Sequence, residues 1–130
     1  MKLSPAQLYS ESDRLLTNEE ANLLQQLVER RLMGEPSSYI TGLKEFYGND
    51  FYVDPRALIP RPETELLVEA AIEWANDAEH GLPHLRRSLI IADIGTGCGA
   101  IAVTLATRLP QSKIYAIDIS PQALEVAQIN

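Results

Sequence analysis

The segment from Leu89 to Ser120 limits what this chain can fold into more than any other. Ser88-Leu-Ile-Ile-Ala-Asp93 is short and apolar, the pattern of a buried parallel strand. Ile94-Gly95-Thr96-Gly97-Cys98-Gly99-Ala100 follows, with glycines at alternate positions. A periodic apolar segment (Ile101, Val103, Leu105, Ala106, Leu109) runs to Pro110, and Lys113-Ile-Tyr-Ala-Ile117 is a second apolar strand ending on Asp118. The order is strand, glycine loop, helix, strand, acid. Glycines let the backbone turn sharply and bring bare peptide groups against a ligand. The helix opening there offers N–H groups and a positive dipole end. Asp118 stands 19 residues after Gly99, where an acid in a nucleoside-binding βαβ unit accepts ribose hydroxyls.

The glycines alone leave the nucleoside open. Gly95, Gly97 and Ala100 meet the dinucleotide pattern G-x-G-x-x-G/A, which keeps NAD in consideration. The fuller pattern Asp93-x-Gly95-x-Gly97-x-Gly99 resembles the first motif of the class I S-adenosyl-L-methionine-dependent methyltransferases, and Asp118-Ile119-Ser120-Pro121 resembles their second. That resemblance favours S-adenosyl-L-methionine over NAD. It implies cofactor contacts from Asp93, Gly95, Thr96, Gly97, Cys98, Gly99, Asp118 and Ile119. A glycine turn with no ligand is the bland alternative, and the register of all five parts speaks against it.

Other classes are narrowed by the totals. With 130 residues the chain holds one domain or slightly more. A net charge of −7 disfavours nonspecific binding to nucleic acid or to an anionic membrane. No apolar run approaches a membrane span, and Met1-Lys2-Leu3-Ser4-Pro5 lacks the apolar core of a signal peptide. A single cysteine excludes an internal disulfide and fits a reducing cytoplasm. With no histidine nearby in sequence, Cys98 reads as a small loop residue rather than a nucleophile. His80 and His84 have no partners at metal-ligand spacing, so no metal site is expected.

Before the glycine loop the chain reads as helix, hairpin, helix. Ser4-Pro5-Ala6-Gln7 suits a short helix start. Thr17-Asn18-Glu19-Glu20 is a capping box opening a helix to about Leu32, with Ala21, Leu24, Leu27, Val28 and Leu32 on one face and Gly34 as C-terminal cap. One amphipathic helix cannot bury its face alone. Arg30 and Arg31 suit the helix dipole better than a nucleic-acid patch. Glu45 to Val53 reads as a hairpin turning at Gly48-Asn49. Its aromatics read as core or hairpin faces, with base stacking as the sharper alternative. Ile59-Pro60-Arg61-Pro62-Glu63 is stiff and extended. It either fixes Arg61, Glu63 and Glu65 at the mouth of a site or simply starts a helix, with Pro62 in its first turn. That helix runs to about Glu79 with Leu66, Leu67, Ala70, Ala71, Trp74 and Ala78 as its buried stripe, and Gly81 to Arg87 is a polar loop. Ser120 and Pro121 start a last helix.

Three landmarks, Glu45-Phe-Tyr-Gly48, Ile59-Pro-Arg-Pro-Glu-Thr-Glu65 and Asp93-Ile-Gly-Thr-Gly-Cys-Gly-Ala100, together resemble the HemK/PrmC family from about Leu15 to Asn130. Those enzymes methylate the glutamine side-chain nitrogen in the Gly-Gly-Gln motif of peptide-chain release factors. The resemblance implies an α/β chain: a small helical N-terminal domain (1–43), a β-hairpin and proline-rich hinge (44–62), then the start, β-α-β-α, of a Rossmann-like class I methyltransferase sheet (63–130). It implies that Phe46, Arg61, Pro62 and Glu63 border the cofactor and substrate pocket. The family's Asn-Pro-Pro-Tyr motif, which holds the target amide in line with the methyl group, is absent from these residues. The expectation is therefore of a piece of the enzyme, inactive alone, with no catalytic residue of its own. Its partner would be a release factor. Open sheet edges would make it marginally stable or self-associating. Two alternatives stay open: a DNA or RNA adenine N6-methyltransferase, which the acidic balance opposes, and a non-catalytic module that docks on a protein.

Overall fold

The computed structural model describes residues 9–10, 13–76 and 89–130. The helix start at Ser4 to Gln7, the stretch from Asp77 to Ser88 and both histidines lie outside them. The chain divides into two compact units, Met1–Ile40 and Thr41–Asn130. The hairpin and the proline segment belong to the second unit rather than forming one of their own.

In the first unit α1 (Asn18–Leu32) begins at the capping box: Thr17 Oγ1 accepts from the Glu20 N–H, and Glu20 accepts from the Thr17 N–H. At the other end Gly34 is left-handed (φ 90°). Its N–H donates to Arg31 O, and that of Glu35 to Arg30 O, a Schellman closure. Arg30 also donates through Nε to Glu35 Oε2 at 2.7 Å. No residue of α1 is buried, and Leu23, Leu24, Val28 and Leu32 are exposed. A short helix, α2 (Ser37–Thr41), follows Pro36.

The second unit opens with an antiparallel hairpin, β1 (Leu43–Phe46) and β2 (Asn49–Tyr52), in the register Leu43↔Tyr52 to Phe46↔Asn49. Its turn is Tyr47-Gly48, one residue earlier than Gly48-Asn49: both have positive φ, 52° and 78°, as a two-residue loop of the twist-matching type requires. A tyrosine accepts that conformation because it is tied down twice. Its N–H donates to Glu65 Oε1 at 3.0 Å, and Arg108 lies 5.1 Å over its ring. Phe46 and Phe51 are buried and meet edge to face, centroids 6.1 Å apart. They are core, which removes them as base-stacking candidates.

A 3₁₀ turn (Pro62–Thr64) leads into α3 (Glu65–Asn76). Then come β3 (Ile90–Ile94), α4 (Ala100–Arg108), β4 (Lys113–Ile117) and α5 (Pro121–Ile129). Strands β3 and β4 pair in parallel from Ile90↔Lys113 to Ile94↔Ile117. With its helices this is a β-α-β-α unit of the Rossmann-like type.

Burial departs from the sequence pattern on both long apolar segments. On α3 the buried residue is Val68, while Leu66, Leu67 and Trp74 are exposed and Ala70 is not covered. On α4 the buried face is Ala100, Ala102, Thr104 and Leu105, and Ala106 is exposed. Small residues occupy the closely packed side, and buried Thr104 satisfies its hydroxyl on Ala100 O at 2.6 Å. Strand β3 is not buried on both faces: Ile90 and Ile94 are 74% and 73% exposed, whereas Asp93 is buried. An apolar run signals two covered faces, and among the described residues only one face of this two-stranded sheet is covered.

Candidate functional site

The site lies where β3 and β4 end side by side, the position at which open α/β sheets bind ligands. After β3 the backbone makes three left-handed steps, Gly95 (φ 82°), Gly97 (φ 57°) and Gly99 (φ 83°), which is why the glycines alternate. These steps fold the loop over the end of β4, so that Gly95 and Thr96 both donate their N–H to Ile117 O, at 2.7 and 3.0 Å. The Gly99 N–H closes back on Thr96 O at 2.8 Å.

Two carboxylates hold this loop from opposite sides. Asp93 is buried, and its Oδ2 accepts from Thr96 Oγ1 at 2.6 Å and from the Ala102 N–H at 3.2 Å. It fastens the loop to the first turn of α4. Asp118 accepts from the Ser120 N–H through Oδ1 and from the Gly97 N–H through Oδ2, both at 2.9 Å. Those two bonds, Ser120's foremost, hold its carboxyl below the usual range. A carboxylate has about four acceptor sites. Asp118 therefore keeps capacity for further donors at the strand tips.

The glycines divide by what lies beyond them. A Cβ on Gly95 or Gly97 would meet nothing within 4 Å, whereas one on Gly99 would sit 3.1 Å from Ala127 Cβ on α5. Gly95 and Gly97 thus present backbone to open space, and Gly99 serves close packing. Thr96 and Cys98 are buried, and burial pushes the Cys98 thiol up, away from the thiolate form a nucleophile needs.

Facing Gly95 to Cys98 and the start of α4 across a cleft of about 210 Å³ are Leu58 to Arg61 and Thr64. That is smaller than the roughly 300–1,000 Å³ that encloses a whole drug-sized ligand, and suits one end of an extended one. Arg61 lines the cleft and precedes the 3₁₀ turn, so the proline segment both starts a helix and borders the cleft. Pro62 and Glu63 are exposed in that turn and do not line it; Phe46 is core. Ile119 is fully exposed beside Asp118. Glu65, singled out with Arg61 and Glu63, accepts from the Tyr47 N–H and so holds the hairpin turn. One contributor carries no sequence signal: Asn130, whose side chain donates to Cys98 O at 2.8 Å. Among the described residues no group of His, Cys, Asp or Glu could hold a metal ion, and no helix is long and apolar enough to cross a membrane.

Residues 1–42 match the PrmC N-terminal domain, and residues 91–130 match a methyltransferase domain. The chain is 48% identical over 125 residues to a release factor glutamine methyltransferase of Koribacter versatilis, covering 96% of this chain and 42% of the relative. It is 46% identical over 128 residues to one of Chlorobaculum tepidum, covering 98% and 42%. With one of Coxiella burnetii it shares 42% over 130 residues, covering 100% and 44%. The chain thus spans less than half the length of these relatives. The likeness to the HemK/PrmC family holds along the whole of it.

Proposed function

We propose that this chain, which matches the PrmC N-terminal domain and a methyltransferase domain, is the cofactor-binding portion of an S-adenosyl-L-methionine-dependent enzyme that methylates the glutamine side-chain nitrogen in the Gly-Gly-Gln motif of peptide-chain release factors. The observation that carries the cofactor is the pairing of Asp118 with the open glycine backbone at Gly95 and Gly97. Asp118 would accept hydrogen bonds from the two ribose hydroxyls, and exposed Ile119 would offer an apolar side chain beside them for the base. Gly95 to Cys98 would hold the amino-acid end in the cleft, which Arg61 also lines and where its guanidinium would supply a charge for the carboxylate. Asp93 and Gly99 keep the loop in shape. When bound, the cofactor supplies an electrophilic methyl group on a sulfonium. Positioning would supply most of the rate, and the residues that hold the target amide, the Asn-Pro-Pro-Tyr motif, are not among these 130.

NAD is the weaker ligand on this reading, because the acid at Asp93 ahead of the alternating glycines resembles the methyltransferase motif more than the dinucleotide one. An adenine methyltransferase is opposed by the net charge of −7. The test is transfer of labelled methyl groups by a chain that continues through an Asn-Pro-Pro-Tyr motif. Label should enter a release factor and be lost from its Gln→Ala variant. Label entering DNA or RNA instead would overturn the substrate.

A further inference from the structure

Asn130 joins two parts of the second unit through one side chain. Its Oδ1 accepts from the Tyr52 N–H at 2.8 Å, and its Nδ2 donates to Tyr52 O at 3.0 Å and to Cys98 O at 2.8 Å. Only one orientation of the amide meets all three, with the acceptor on one side and both donors used. Tyr52 is available for this because the next residue closes the ladder: the Val53 N–H donates to Gly42 O, so the peptide groups of Tyr52 face away from β1. The side-chain amide caps the open edge of β2 as a strand neighbour would, and its second donor reaches the glycine loop. The same helix packs on that loop at Gly99, where a Cβ would sit 3.1 Å from Ala127 Cβ.

We infer that Asn130 is a positioning residue, which sets the glycine loop against the hairpin so that the cofactor cleft keeps its shape. A second tie between the hairpin exit and α5 does not reach the loop. Arg56 bonds Asp54 and, through Nη1, Glu125 at 2.7 Å. It is therefore the control. Because the chain has one cysteine, and that cysteine is buried in the loop, alkylation of Cys98 reports loop opening with no cofactor present.

Iodoacetamide labelling of the native chain should be slow. In Asn130→Ala, and in Asn130→Asp, which keeps the acceptor for Tyr52 but loses both donations, it should rise at least tenfold while staying below the rate in denaturant. In Arg56→Ala it should stay within twofold of the parent. S-adenosylhomocysteine should bind both Asn130 variants at least fivefold more weakly and Arg56→Ala unchanged; this arm rests on the proposed function. A folded Asn130→Asp protein labelled at the parental rate overturns the inference. So does a denatured far-ultraviolet spectrum in both Asn130 variants, which would make Asn130 a residue that holds the fold. Faster labelling of the Asn130 variants, with a parent protein that binds no S-adenosylhomocysteine, would support the positioning role and remove the cofactor reading alone.

Discussion

Gly95 and Gly99 form a matched pair, at φ 82° and 83°, that separates backbone strain from packing. Replacing either by alanine forces a left-handed alanine, at about 1–2 kcal/mol. At Gly95 nothing lies within 4 Å of the new Cβ, so the strain is the whole cost to stability. At Gly99 the Cβ would approach Ala127 Cβ to 3.1 Å and its Cα to 3.3 Å. Overpacking of this kind adds about 1–3 kcal/mol. Gly99→Ala should thus be the less stable variant by that increment, read as a shift in urea midpoint at unchanged m. Adding Ala127→Gly to Gly99→Ala should recover part of the increment, less the roughly 1 kcal/mol a helical glycine costs. Binding should rank the other way. Gly95→Ala fills the open side of the loop and should weaken S-adenosylhomocysteine more than Gly99→Ala does. Equal midpoints for the two single variants would refute the division of the glycines into a binding pair and a packing residue.

Acid should destabilise the second unit. The Arg56 guanidinium beside Asp54 holds that carboxyl down at about 2, against an unfolded value near 4. Its contribution is present above about pH 4 and is lost as pH falls toward 2, so Asp54→Asn should flatten the acid limb of a stability profile. Arg61→Gln should lower S-adenosylhomocysteine affinity by about tenfold, the scale of one charge-assisted hydrogen bond, with the melting midpoint unchanged. The open face bearing Ile90 and Ile94 should make the chain self-associate in sedimentation velocity, and Ile90→Lys with Ile94→Lys should suppress it. A monomeric, sharply melting parent chain would contradict that last expectation.

Local chemistry was legible in the sequence; burial was legible at Phe46 and Phe51 but not along the helices. The capping box at Thr17, the cap at Gly34, the strand–loop–helix–strand order and Asp118 each follow from residue types with a single short-range use. The turn at Tyr47-Gly48 was misread by one residue, because tyrosine takes a positive φ here only through two tertiary ties, from Glu65 and Arg108. The buried face of α3 departs from its apolar stripe because such a stripe says which residues prefer cover, not what lies opposite. On α4 the packed side is Leu105 together with two alanines and a threonine. Asp93 sat in the recognised motif, yet its work is inward, on Thr96 and Ala102. Asn130 left no trace, since an asparagine after a helix has many uses and its partners lie 32 and 78 residues away in sequence.

The central claim is that Asp118 and the glycine loop form one S-adenosyl-L-methionine site. Calorimetric titration of this chain with S-adenosylhomocysteine, against NAD and with Asp118→Ala as the second protein, tests it most directly. The account predicts binding of S-adenosylhomocysteine, little heat with NAD, and at least a tenfold loss of affinity in the variant, from two ribose hydroxyl bonds to a charged acceptor. Tighter binding of NAD, or undiminished binding by Asp118→Ala, would contradict it.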